Sequence, residues 1–219
     1  MSDTSTSDEP QDPRIPKKDH SRLIHVYVGK ERQHFTLQAR PLREVSELVE
    51  KTLTTEDAEV ATHIIVLDDE DPAAFEMFIH WLYTSKLPVA VKGEPDHDER
   101  EYLELAKAWV LGQRLQCPKF QNAAMDALVA RRDEDFNLVN VHPLSKTVEY
   151  IYSRTKKDSS LRHFIYDIYT QLGYDNRLNL WGNPARVPLE LILEVADTFY
   201  DWMPTDFDDK YTCAKKFYV

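Results

Sequence analysis

Histidine, cysteine and carboxylate side chains are the groups in this chain whose chemistry could support a metal site or catalysis. The eight histidines show no His-x-x-x-His spacing, and Cys117 and Cys213 lie far apart with no Cys-x-x-Cys spacing. His97 lies between Asp96 and Asp98, a pattern that favours a solvated acidic loop over a metal site. We therefore predict no metal site in this chain.

Motifs for nucleophilic catalysis and for nucleotide binding are missing from the sequence. There is no Gly-x-Ser-x-Gly elbow, and 5 scattered glycines leave no glycine-rich phosphate loop. Cys117 precedes Pro118 at a predicted helix start, but a small buried residue is the better interpretation. Because the acidic pairs lie in hydrophilic runs, they suit solvent better than general acid–base work. The sequence predicts no enzyme, no catalytic residue and no cofactor.

Composition and charge narrow the classes of partner. The net charge of −11 would repel a nucleic-acid backbone, and the basic pairs are isolated from one another. The apolar runs are far shorter than the roughly 20 residues that cross a bilayer. Residues 1–22 lack the apolar stretch of a signal peptide. We expect a cytoplasmic or nuclear protein that binds neither nucleic acid nor membrane.

The predicted strands and helices, which would hold any functional site, begin after a polar segment that contains prolines. Residues 1–20 are predicted to form a disordered tail. Residues 23–28 and 33–37 are rich in strand formers and predict a hairpin that turns at Gly29. A single helix is predicted over residues 41–53, and a third strand over residues 63–67.

A helix with an acidic start follows the third strand. Pro72 suits a first helical turn, and the preceding carboxylates complement the helix dipole. Phe75, Phe78, Ile79 and Leu82 then occupy one helical face. Residues 86–91 predict a short edge strand. Further helices are predicted over residues 99–115, from Pro118, after Pro143, over residues 161–172 and from Pro188. Such segregation of strands and helices indicates an α+β fold, a small sheet with surrounding helices and an all-α C-terminal extension.

Residues 23 to about 130 resemble the BTB/POZ family of protein-interaction domains. The resemblance rests on the hairpin, on Leu67-Asp68, on Asp71-Pro72 with residues 75–84, on residues 105–115 and on Cys117-Pro118. The layout is similar to fungal BTB proteins, which carry helices after the domain instead of zinc fingers or kelch repeats. The resemblance implies a disordered tail at 1–20, a BTB/POZ domain at 21–130 and a helical region at 131–219.

The resemblance also implies how the protein works. Its partners would be proteins, bound by self-association as a homodimer or by docking to a cullin scaffold as a ubiquitin ligase adaptor. Self-association would use the first strand and the helix at 41–53. Cullin docking would use residues from about 68 to 120 and the helices after 143. The residues expected to bind partners are Val45, Val49, Asp69, Phe75, His80 and Tyr83.

Two other functions stay open at the level of sequence. One is a small helical ligand-binding protein or enzyme, and the other is a transcriptional co-regulator without its own DNA-binding domain. The first would need a polar pocket in the helical region, with lining groups such as His142, Asp167, Tyr169 and Arg186. Trp181 and Trp202 stand near prolines in predicted loops and are candidates for a partner-facing surface.

Overall fold

The computed structural model describes residues 23–55, 63–88, 97–138, 145–174 and 187–202. The fold is α+β, as the sequence predicts. The strands are β1 (Leu23–Val28), β2 (Gln33–Gln38) and β3 (His63–Leu67). The helices are α1 (Ala39–Val45), α2 (Glu47–Thr55), α3 (Pro72–Thr84), α4 (His97–Arg114), α5 (Pro118–Leu138), α6 (Ser145–Arg154), α7 (Ser160–Tyr174) and α8 (Leu189–Trp202). The predicted tail at 1–20 lies outside the described residues.

The described residues divide into two compact units. The first unit contains the residues up to Pro88 together with Leu111–Ala123. The second contains the described residues between Pro88 and Leu111 and those after Ala123. Helices α4 and α5 therefore each contribute to both units. The domain boundary that the sequence places at residue 130 stays a prediction.

The first unit is built on a three-stranded sheet of order β2-β1-β3. The central strand β1 pairs antiparallel with β2 and parallel with β3. Ile24, Val26 and Val28 point into the core, so the alternation in β1 has the period of a half-buried strand. Gly29 turns the chain after β1 at a φ of +77°, and its N–H donates to the Leu67 carbonyl at 3.0 Å. The predicted hairpin and third strand are confirmed.

The helix predicted over residues 41–53 is two helices, which separate at Ser46. Ser46 has extended backbone angles and is buried. Its hydroxyl donates to the Leu115 carbonyl at 2.5 Å and accepts from the N–H of Val49 at 3.2 Å. The second bond is that of a helix N-cap, so Ser46 starts α2 instead of continuing α1. The prediction of one helix was wrong because this serine bonds to a distant carbonyl.

Helix α3 follows the acidic turn as predicted. The Asp71 side chain accepts from the Ala73 N–H at 2.8 Å, and Pro72 occupies the first turn. The helix ends at Ser85, which has a left-handed backbone and donates its N–H to the Trp81 carbonyl. Residues 86–88 are not in a strand, and residues 89–91 of the predicted edge strand lie outside the described residues. The buried face of α3 carries the aromatic core of this unit.

The buried faces of α6 and α7 in the second unit confirm the predicted helical stripes. On α8 the sequence predicts a stripe that includes Leu189, Leu193 and Tyr200, and this prediction was wrong, because these side chains are exposed. Helix α7 packs against α6 and against α8. Its buried face repeats at helical spacing, as do the shorter buried faces of the two neighbours. The buried side chains are Val148, Ile151 and Tyr152 of α6, Leu161, Phe164, Ile165, Ile168 and Tyr169 of α7, and Leu191 and Val195 of α8.

A buried arginine closes the C-terminal end of α6. Arg162 donates to the main-chain carbonyls of Tyr152 and Thr155, at 2.8 and 2.6 Å, and to the Thr155 hydroxyl at 3.2 Å. Its remaining bond goes to the carboxylate of Glu190 at 2.8 Å. The guanidinium also lies over the Tyr152 ring at 4.4 Å from the centroid. A cation at this helix end satisfies carbonyls that have no partner within the helix.

Candidate functional site: the open face of the sheet

One face of the sheet carries apolar side chains that stay exposed. Leu23 is 50% exposed, Ile64 53% and Val66 42%. The register places Ile64 opposite His25 and Val66 opposite Tyr27. We use the term open sheet face for Leu23, His25, Tyr27, His34, Thr36, Ile64 and Val66. Exposed β-branched residues side by side on a sheet are typical of a surface that another molecule covers.

The open sheet face differs in charge from the chain as a whole. None of its seven residues is an aspartate, glutamate, lysine or arginine, although the chain has a net charge of −11. Depletion of charged residues with an aromatic residue present is the composition of an interface core. The open sheet face can therefore bury apolar area against a partner without the cost of desolvating a carboxylate.

Two histidines meet at the β1–β2 side of this face. Nδ1 of His25 and Nε2 of His34 are 2.8 Å apart, and the two rings are within 16° of parallel. The ring of Tyr27 stacks on His34 with centroids 4.9 Å apart. The hydroxyl of Thr36 lies 3.4 Å from both nitrogens. In a neutral pair, one imidazole N–H donates to the other ring.

Sequence spacing did not anticipate this contact, because the two histidines are nine positions apart. The hairpin register explains it. His25 is opposite Thr36 and Tyr27 is opposite His34, so His25 and His34 are diagonal neighbours on one face. A turn over the four residues 29–32 pairs Val28 with Gln33, and alternation away from that pair puts both histidines on that face.

The six residues expected to bind partners differ in their exposure to solvent. Val49 and Phe75 are each only 1% exposed, so their side chains belong to the core and offer no surface. Val45 is half-buried at the end of α1. Asp69 is exposed in the turn before α3. His80 and Tyr83 are both exposed three positions apart on α3, and Tyr83 is 54% exposed.

The second unit offers open grooves for the ligand-binding alternative. One of about 590 Å³ is lined by Lys157, Asp158, Arg162, His163, Tyr166, Glu194 and Asp197. Another of about 370 Å³ is lined by Arg132, Asp133, Asp167, Ile168 and Gln171. Asp167 therefore borders a groove, as that alternative requires, whereas Tyr169 is fully buried. His142 and Arg186 lie outside the described residues.

Burial shifts the pKa of two side chains, Cys117 and Tyr152, away from the ionised form. Burial raises the pKa of the Cys117 thiol above its ordinary value, which disfavours the nucleophilic thiolate. Burial, with a smaller contribution from Glu194, also raises the pKa of the Tyr152 hydroxyl. Within the described ranges, no three His, Cys, Asp or Glu side chains are grouped closely enough to hold a metal ion. Cys117 is the buried residue that the sequence predicts.

Comparison with protein-family models and with curated proteins gives no match for this chain. No helix in the described part of the chain has both the length and the apolar character required to cross a membrane.

Proposed function

We propose that this protein is a protein–protein interaction module of the BTB/POZ type, and that it associates with a second copy of itself. The open sheet face is the single observation that carries the proposal. The exposed apolar side chains of Leu23, Ile64 and Val66 lie on it next to the half-buried Tyr27. The first strand, which the family resemblance assigns to self-association, supplies part of this surface. The proposal assigns no catalytic role.

Charge favours the open sheet face as the place where two copies would meet. Two copies that each carry a net charge of −11 repel each other over most orientations. The open sheet face has no carboxylate, so repulsion is least when these faces meet. A two-fold contact places the same patch on both sides, and each side then covers apolar side chains of the other. Burial of such surface contributes roughly 25 cal/mol per Å² of apolar area.

Self-association should depend on Val66. We expect the chain to be a dimer and Val66→Glu to raise its dissociation constant by at least about tenfold, because two carboxylates would have to be desolvated across the two-fold axis. Light scattering on a size-exclusion column, over a dilution series, measures this change. Leu193→Glu is the matched control, since Leu193 is exposed to a similar extent on α8.

The comparison of Val66→Glu with Leu193→Glu tests whether the open sheet face is the dimer contact. Circular dichroism should show both variants folded. A chain that is monomeric at every concentration, or a dimer that Leu193→Glu disrupts and Val66→Glu does not, would contradict the proposal.

Docking to a cullin scaffold as a ubiquitin ligase adaptor is the second candidate. The observation that favours it is the exposed pair His80 and Tyr83 on one side of α3, within the region that the family resemblance assigns to cullin contact. Tyrosine is enriched among residues that dominate interface energy. Co-elution with a cullin N-terminal domain should be lost in Tyr83→Ala and kept in Val66→Glu. No co-elution of the wild-type chain would refute this candidate.

A cytoplasmic or nuclear location is part of the proposal. It is supported by Cys117, which is buried and in no disulfide in the described part of the chain, as is usual for proteins of a reducing compartment.

A further inference from the structure

We infer that His25 and His34 form a binding site for one divalent transition metal ion of the zinc, copper and nickel class. The site lies on the hairpin side of the open sheet face. Imidazole nitrogens suit these ions, and the chain brings two of them together from neighbouring strands. The site shares the open sheet face with the proposed self-association, but both histidines belong to the same chain, so an ion can bind without a second copy.

The three polar atoms have the spacing of a coordination face. Nδ1 of His25 and Nε2 of His34 are 2.8 Å apart, and Oγ1 of Thr36 is 3.4 Å from each. Bonds from zinc to imidazole nitrogen are about 2.0–2.1 Å long. An ion placed off the line between the two nitrogens would therefore reach both at bonding distance.

The imidazole nitrogens supply the metal bonds, and the hydroxyl has a supporting part. In the metal-free pair, an N–H on one of the facing nitrogens donates to the other. Both facing nitrogens must offer lone pairs to an ion, so that proton shifts to the far nitrogen of its own ring. The two nitrogens face each other almost in line, so the rings must also turn before both lone pairs are directed at one ion. The Thr36 hydroxyl is close enough to hydrogen-bond a water molecule on the ion.

The site is preorganised by its position in the sheet. β1 is the central strand, so His25 is held by neighbours on both sides. The ring of Tyr27 stacks on His34 with the ring planes 20° apart, which limits the positions open to the second ring. The backbone of both ligands is already ordered in the sheet, so its conformational entropy is not lost when an ion binds. The net charge of −11 also raises the local concentration of cations around the protein.

Two protein ligands leave positions that water fills. Such a site binds less tightly than a structural zinc site with four protein ligands. We therefore expect reversible binding with the strongest affinity for Cu²⁺, in agreement with the general order of affinities among first-row ions.

Calorimetric titration with Cu²⁺ and with Zn²⁺ tests the inference. We expect one ion per chain at the tightest site, and His25→Asn or His34→Asn should each weaken that site by at least about tenfold. Asparagine keeps a polar, exposed side chain at each position, and the melting temperature of each variant checks that the hairpin is retained. His80→Asn and His163→Asn are matched controls, since both histidines are exposed on helices.

Electron paramagnetic resonance of the Cu²⁺ complex supplies a second readout. Nitrogen hyperfine splitting should indicate two imidazole ligands in the wild-type chain, and each substitution should reduce that number. The inference is overturned if the double variant His25→Asn/His34→Asn binds as tightly as the wild-type chain, or if no ion binds. Light scattering on metal-free protein tests the dimer separately, so either result can be told apart from a failure of the proposed self-association.

Discussion

Arg162→Ala should destabilise the second unit by about 3 kcal/mol, because it leaves two buried main-chain carbonyls without their donor. The carbonyls of Tyr152 and Thr155 both accept from this guanidinium at the end of α6. The Thr155 hydroxyl loses a bond as well, and the Tyr152 ring loses its cation. Arg162→Lys should recover only part of the loss, since an ammonium group cannot reach all these acceptors in one plane.

The ion pair with Glu190 should contribute little to this effect. The Glu190 side chain is 41% exposed, so water screens its attraction for Arg162. Glu190→Ala should therefore cost less than about 1 kcal/mol. Urea unfolding followed by circular dichroism measures both variants, and Lys156→Ala is an exposed control on the adjoining turn. A loss for Glu190→Ala equal to that for Arg162→Ala would show that the charge pair, and not the carbonyl capping, holds α6.

Phe78→Ala should destabilise the first unit by about 3–5 kcal/mol, the range for removal of a fully buried aromatic ring. Phe78 has no exposed surface and is in contact with three other rings. Their centroids lie 5.8 Å away for Phe75, 6.0 Å for Trp81 and 5.1 Å for Phe120, the last edge-to-face. Alanine removes these contacts and leaves a cavity among the rings of Phe75, Trp81 and Phe120.

Tyr83→Ala provides the comparison on the same helix. Its side chain is largely exposed, so the change should alter stability by less than about 0.5 kcal/mol. Thermal unfolding measures both variants, and fluorescence of Trp81 reports the loss of packing around Phe78. Equal melting temperatures for Phe78→Ala and the wild-type chain would contradict the packing of this cluster.

Local signals predicted most of the elements in this fold. The alternation of Ile24, Val26 and Val28 is enough to predict a strand, and Asp71-Pro72 before an apolar stripe is enough to predict the start of α3. Each of these signals depends on neighbours within one turn or one strand. The helices after residue 143 were predicted for the same reason, because apolar residues repeat there at helical spacing, although on α8 the buried positions are Leu191 and Val195 and not the predicted stripe.

What the sequence did not reveal depends on contacts between distant residues. The break at Ser46 depends on the Leu115 carbonyl, which lies 69 positions further along the chain. The meeting of His25 and His34 depends on strand register. Val49 and Phe75 were predicted from the family resemblance to bind a partner, although the helical spacing of Phe75 already favours the core position that the structure gives both. Periodicity was the better guide at these two positions.

The parallel pairing of β1 with β3 has a consequence for the order of folding. β1 and β2 are joined by a short turn and can pair early. β3 is separated from β1 in the chain by β2, α1 and α2, so its pairing with β1 needs a longer loop to close. Ile64 and Val66 therefore arrive with the last and slowest strand. During synthesis, the nascent hairpin has one unpaired edge of β1 until residue 67 has left the ribosome. The surface proposed to bind a second copy is complete only when β3 of the same chain has paired with that edge of β1.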